Sequence, residues 1–159
     1  RCELSFVRGN NGYLPKASTF WFVTTLWLDD WRGTNDEQLV AQFHDGDWSR
    51  GLNPYFALLI RGNQARINVR WDTTQTQTVS KANVANVDIW RDSFDFSQRW
   101  VTFVVQARTS TSTADAPFIK VWRDGQLIAE RQGPLGYNQP DFRDYAKVGY
   151  YHWLTGNAW

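Results

Sequence analysis

LVAQFHD, residues 39–45, places Gln42 and His44 two apart inside an otherwise apolar run. Successive side chains of a strand point to opposite faces of its sheet. Read as a strand, the segment puts Leu39, Ala41 and Phe43 on one face and Val40, Gln42 and His44 on the other. The first set is a core face. An amide and an imidazole are therefore expected side by side on the face turned away from the interior.

Much of the chain reads the same way. STFWFVTTLWL (18–28), EQLVAQFH (37–44), PYFALLIRG (54–62), ARINVRW (65–71), RWVTFVVQAR (99–108), PFIKVWRDGQLIAE (117–130) and DYAKVGYYHW (144–153) alternate in polarity or are rich in β-branched and aromatic residues. Almost none of them carries a helical period. Seven or more such strands separated by turns point to an all-β, antiparallel β-sandwich. Asp124-Gly125 and Gly62-Asn63 read as two-residue hairpin turns, where glycine accepts the positive φ of a primed turn. The polar stretch TTQTQTVSKANVANVDIWRD (73–92) is expected as a loop or short edge strands, either the wall of a binding site or a flexible spacer. TSTSTAD (109–115) is expected as an exposed connection, and no internal repeat occurs.

Composition narrows the classes. The 159 residues read as one domain, 1–159, with nothing like a linker inside. Ten Trp exceed what a core of this size needs, so part of them is expected on a ligand face and more than half between the sheets. A formal charge of +1 supplies no global field for nucleic acid or a membrane. An anionic ligand must then be met by a local cluster. The single Cys2 excludes an intrachain disulfide. No apolar run is as long as a membrane span and no signal peptide is present. The abrupt start at Arg1 and end at Trp159 read as a piece of a longer polypeptide, with further domains or subunits outside it.

Three other segments divide as LVAQFHD does. YAKVGYYHW sets Tyr145, Lys147, Gly149, Tyr151 and Trp153 against Ala146, Val148, Tyr150 and His152. RCELSF sets Arg1, Glu3 and Ser5 against Cys2, Leu4 and Phe6, and ARINVRW sets Arg66, Asn68 and Arg70 against Ile67, Val69 and Trp71. If these strands share a sheet, their polar faces make a patch able to hold an anion and move a proton. Any sandwich has a solvated face with Arg and Lys on it. Gln42, His44 and Tyr151 are less typical of such a face.

RCEL, QFH and YAKVGYYHW together resemble the three signature strands of the jelly-roll polysaccharide lyases, the group of alginate, glucuronan and heparin lyases. The motifs of the alginate lyases read approximately R-S-E-L-R, Q-I-H and Y-F-K-A-G-V-Y-N-Q. The order matches, and VWRDG ahead of KVGYY is similar to the glucuronan and heparin lyases. Ser5 replaces the second arginine, His152-Trp153 replaces N-Q, and the strands that normally precede the first motif are missing. The resemblance implies a concanavalin-like jelly roll with a concave substrate-binding sheet, secreted or surface-exposed, that cleaves an anionic, uronate-containing polysaccharide by β-elimination.

The C5 proton of a uronate is weakly acidic, so the neighbouring carboxylate must be neutralised as the proton leaves. By resemblance Arg1 and Gln42 do this, His44 takes the proton and Tyr151 protonates the leaving oxygen. Tyrosine serves in both roles if the two groups leave on the same side. Histidine suits a base because it ordinarily titrates near ~6.5, whereas a phenol near ~10 needs cations such as Arg1 and Lys147 beside it. Lys147, Tyr145, Arg66, Asn68, Arg70 and Trp153 would line the cleft. No cofactor is required by this scheme, and His44 and His152, on opposite faces, argue against a shared metal. A non-catalytic carbohydrate-binding or adhesin domain on the same sandwich is the alternative, and a purely structural domain a weaker one, because fold does not decide function. Gln, His and Tyr together on one face favour the lyase.

Overall fold

The computed structural model describes residues 2–6, 13–28, 36–46, 51–74, 79–93, 96–138 and 143–152. The strands are β1 (Cys2–Ser5), β2 (Tyr13–Leu14), β3 (Thr19–Trp27), β4 (Gln38–His44), β5 (Phe56–Arg61), β6 (Gln64–Asp72), β7 (Val84–Ser93), β8 (Trp100–Arg108), β9 (Phe118–Arg123), β10 (Gln126–Gln132) and β11 (Asp144–His152). They form two antiparallel sheets. The larger runs β1-β11-β4-β5-β6-β7, with β2 also on β11, and the smaller runs β10-β9-β8-β3. The chain ends of this order matter for the site: β4 pairs with a strand 100 residues later, which places QFH beside YAKVGYY. Both expected hairpin turns form, with φ of 55° at Gly62 and of 49° and 85° at Asp124 and Gly125.

The core lies between the sheets, and Phe43 sits at its centre. Its ring meets Phe20 and Phe22 of the smaller sheet edge-on, with centroids 5.6 and 5.2 Å away, and stacks on Phe56 at 4.5 Å. Val40, Ala41, Leu58, Ile60, Ile67 and Val69 from the larger sheet pack with Val101, Phe103, Val105, Ile119 and Val121 from the smaller one. Burying one large apolar side chain stabilises by about 1.5–3 kcal/mol, so this layer dominates the energetics of the fold.

Several expectations need correction. Strict alternation fails at the start of β4, where the register against β5 slips by a residue between Leu39 and Ala41. Val40 and Ala41 consequently both pack in the core, while Leu39 turns to the opposite face with Ala57, Leu59 and Tyr151. A bulge inserts one residue and reverses the phase beyond it. Of the two readings of 73–92, the edge strand holds for its second half, as one strand of ten residues (84–93) at the end of the larger sheet rather than short pieces. Its Asn86, Asp88 and Arg91 pair across the ladder with Arg70, Asn68 and Arg66, so a polar network stands where the apolar alternation of a strand would be.

Thr109 and Thr111 are buried rather than exposed. Thr109 bridges to Lys16, Ser110 bridges to Leu135, and the Ser110 hydroxyl satisfies Asp115 at 2.6 Å, so the segment meets its own polar demand. Leu4 and Phe6 on the expected apolar face of β1 are exposed, at 74% and 48%, because β1 is an edge strand of the larger sheet. None of the described Trp belongs to the buried core, which is built from Phe, Tyr and aliphatic residues. Trp21 stacks on Trp122 and Trp27 lies against Trp100 on the outer face of the smaller sheet. Trp71 carries the Arg131 guanidinium 4.0 Å above its ring.

Phe43→Ala removes the ring on which both sheets converge and should lower stability by about 3–5 kcal/mol. Chemical denaturation measures this directly. A loss below about 1 kcal/mol would mean that Phe43 does not anchor β4.

Candidate active site

Because Ala41 and Phe43 are held in the core, Gln42 and His44 must leave β4 on its other face. Alternation in β11 does the same with Ala146 inward and Tyr145 and Lys147 outward. Register then brings the two sets together. Tyr145 lies opposite His44 and Lys147 opposite Gln42, while Tyr151 lies opposite Leu39. The imidazole of His44 stacks on the Tyr145 ring at 5.8 Å and 22°, and the Lys147 ammonium lies 5.3 Å from the centre of the same ring. Tyr151 packs against Leu39, Ala57 and Leu59, which fixes it to this face and not to the core.

This face is recessed rather than solvated. His44 is 7% exposed, Gln42 4% and Lys147 2%. A lysine on an ordinary sandwich surface keeps its ammonium in water, so burial removes the bland explanation for Lys147. The middle row continues across the sheet as Ser5, Lys147, Gln42, Ala57, Asn68 and Asp88, from β1 to β7. His44 stands to one side of that row and Tyr151 to the other. Five residues of strand separate their rows on β4, or roughly 16 Å at ~3.3 Å per residue.

The expected cleft residues fall into two groups. Gln42, His44, Tyr145, Lys147 and Tyr151 gather on β4 and β11. Arg66, Asn68 and Arg70 share their sheet but are committed to protein partners. Arg66 makes a two-point contact with Glu37 at 2.6 and 2.7 Å and reaches Asp88 at 3.0 Å. Asn68 donates to Asp88 at 2.8 Å, and Arg70 donates to the Pro54 carbonyl at 2.7 Å. Burial works against ionised Asp88, but hydrogen bonds from Arg91, Asn68 and Arg66 outweigh it and hold the carboxyl below its ordinary range. Arg1 and Trp153 lie outside the described residues.

Three acids that sequence reasoning left out of the site border it. Glu3 on β1 accepts a hydrogen bond from the Gln42 amide nitrogen. Asp45 is fully buried at the end of β4, and His44 Nδ1 lies 2.7 Å from its carbonyl oxygen and 2.8 Å from its Oδ1. Asp144, next to Tyr145, is buried beside Tyr55 with Lys16 3.6 Å away. Burial pushes its carboxyl up to about 6; the Lys16 charge opposes this, and the negative charge of Asp45 adds to it. Alternation already set Glu3 on the polar face of RCELSF; for Asp45 and Asp144 the signal is that each is an acid directly beside a site residue at a strand end.

The chain matches the polysaccharide lyase family over residues 1–159 and belongs to it. Among solved structures it is similar to the endo-β-1,4-glucuronan lyase of the fungus Trichoderma reesei, with a TM-score of 0.72 and 16% identity over 93% of this chain and 61% of that one. Alginate lyase AlyC3 gives a TM-score of 0.59 and 10% identity over 95% of this chain and 63% of that one. A variant of alginate lyase A1-II′ gives 0.52 and 14% over 95% and 61%. At such identities the likeness is one of fold, the jelly roll. The chain spans less than two thirds of the length of these lyases. A search of curated proteins finds no match. Among the described residues no helix is long and apolar enough to cross a membrane, and no three His, Cys, Asp or Glu side chains gather as metal ligands.

The raised Asp144 carboxyl makes a signed prediction. A proton held more tightly in the fold stabilises it at low pH, and this contribution is lost as pH rises from about 4 through about 6. Asp144→Asn should therefore gain on wild type across that window, by on the order of 3 kcal/mol at most. Melting temperatures from pH 4 to 8 test this. A gap between the two proteins that does not change with pH would contradict it.

Proposed function

We propose that this chain carries the catalytic face of a polysaccharide lyase that cleaves an anionic, uronate-containing polymer by β-elimination. The observation that carries this reading is the common direction of Gln42, Lys147, His44 and Tyr151, recessed on one face of one sheet. A sugar-binding module needs flat aromatics and donors; it has no use for a base and an acid set on either side of an amide and a buried cation.

In this scheme the uronate carboxylate lies over the Gln42–Lys147 row. The Lys147 charge and the second N–H of the Gln42 amide, whose first is donated to Glu3, stabilise the negative charge that spreads onto the carboxylate as the C5–H bond breaks. His44 takes the C5 proton. The electron pair of that bond forms the C4–C5 double bond and the C4–O bond breaks. The departing glycosidic oxygen takes its proton from the Tyr151 hydroxyl. Arg66, Asn68 and Arg70 support the wall rather than the sugar, since their donors already meet Glu37, Asp88 and Pro54. Arg1, from the same motif as Glu3, is assigned to the carboxylate by resemblance. A substrate of this size and charge places the site outside the cell.

The test is a panel of alginate, glucuronan and heparinoid substrates, followed by the ultraviolet absorbance of the unsaturated product. Wild type should produce it from at least one. His44→Ala and Tyr151→Phe should each lose on the order of 10²–10⁴-fold in kcat, with polymer binding retained. Tight binding by wild type with no unsaturated product from any polymer would instead favour the binding-module reading.

A further inference from the structure

We propose that the outer face of the smaller sheet is a second, non-catalytic binding site for the same anionic polysaccharide, on the side of the sandwich opposite the candidate active site. The identity of the polymer rests on the lyase reading; the existence of the site does not. Alternation in β3 buries Phe20 and Thr24 and turns Trp21, Val23, Thr25 and Trp27 outward. In β8 and β9 it turns Trp100, Thr102 and Trp122 to the same side. Register then sets Trp27 beside Trp100, Thr25 beside Thr102 and Val104 beside Trp122. Two aromatic pairs result. Trp21 stacks on Trp122 with ring centroids 5.7 Å apart and planes 27° apart, and Trp27 lies against Trp100 at 5.5 Å.

The exposure of these rings calls for a ligand. Trp21, Trp27 and Trp100 are 59%, 46% and 64% exposed, and a contiguous apolar patch left in water marks a contact surface. Its pattern identifies the partner. Six residues of β3 separate Trp21 from Trp27, or roughly 20 Å at ~3.3 Å per residue, a span of several sugar rings. Between the two pairs the hydroxyls of Thr25 and Thr102 meet at 3.0 Å, a polar break that the apolar side chains of a protein partner leave unmatched and sugar hydroxyls match. Charge agrees with an anionic chain. β3, β8 and β9 contain no acidic residue. Arg108 and Lys120 leave the sheet on the side of the tryptophans, and Glu130 of β10, 3.1 Å from Lys120, is the acid that faces them. Arg108 donates to the Asp115 carbonyl and the Thr19 hydroxyl rather than to a carboxylate. Two cations thus meet one acid, which complements a polyanion. A uronate ring presents an apolar C–H face to an indole and its hydroxyls and carboxylate to polar groups at the rim, and this face offers both.

Retardation of the full chain in native gels containing alginate, glucuronan or heparin tests this without turnover. Wild type should be retarded by at least one polymer. The double variant Trp21→Ala/Trp100→Ala should bind that polymer about tenfold more weakly, with kcat/KM on short uronate oligomers, which need only the cleft, within twofold of wild type. Val23→Glu, which sets a negative charge among the rings, should also weaken retardation, and Val23→Lys should not. Polymer binding equal to wild type in the double variant would overturn the proposal, as would equal losses in the two Val23 variants or a wild type that no polymer retards. A wild type that sediments as a dimer, with the double variant a monomer, would overturn it by showing a contact between copies. Should the variants not fold, uronate oligomers titrated into wild type must shift the indole N–H signals of the outer-face tryptophans, and unmoved signals would overturn it. If retardation falls as expected but wild type makes no unsaturated product, the outer site stands and the lyase reading falls; product formation with unchanged retardation gives the reverse.

Discussion

Everything on the functional face follows from the burial of one ring. Phe43 is fixed between two sheets by Phe20, Phe22 and Phe56, and it cannot rotate away without breaking these ring contacts. Its neighbours in the chain have no choice of direction as a result. Gln42 and His44 project from the far side of β4 because the residue between them is the keystone of the near side. A core contact thus sets the aim of two polar groups that never touch the core themselves. Such a scaffold is rigid where precision matters, since a one-residue slip would turn every side chain over.

The same sheet holds its charges in two different ways. On β6 and β7, Arg66, Glu37, Asp88, Asn68 and Arg91 satisfy one another, and the network is closed. On β4 and β11 the groups are buried in other ways: Lys147 lies over a tyrosine ring, Asp45 lies against a histidine, and Asp144 is driven toward protonation by its surroundings. Folds place such locally unfavourable groups where chemistry needs them and stabilise them elsewhere. The contrast separates the paired network on β6 and β7 from the candidate site on β4 and β11.

Alternation made much of this legible beforehand. Ala41, Phe43, Ala146 and Ile67 mark core faces unambiguously, and the faces of Gln42, His44, Lys147 and Tyr151 follow. Alternation could not reveal the bulge that sends Val40 inward and Leu39 outward, because a bulge is a property of pairing between strands and β4 alone carries no sign of it. Nor could it decide between a loop and an edge strand for β7, whose partners across the ladder are polar. Surface composition misled in one respect: the tryptophans suggested a core, whereas Trp21, Trp27, Trp100 and Trp122 lie on the outer face of the smaller sheet and Trp90 packs against the core only from its margin. Depth was invisible as well. A solvated Lys147 and a buried one are the same letter, and only the packed structure distinguishes them.

The central claim is that proton loss from carbon, rather than addition of water, breaks the polymer. Digestion in oxygen-18 water of a substrate carrying deuterium at C5 of its uronates tests it most directly. Elimination predicts a primary isotope effect on kcat/KM, loss of the C5 label at each cleaved bond and no oxygen-18 at the new chain ends within the time of reaction. Retained deuterium, together with one oxygen-18 per cleavage, would show hydrolysis and contradict the assignment of His44 and Tyr151 altogether.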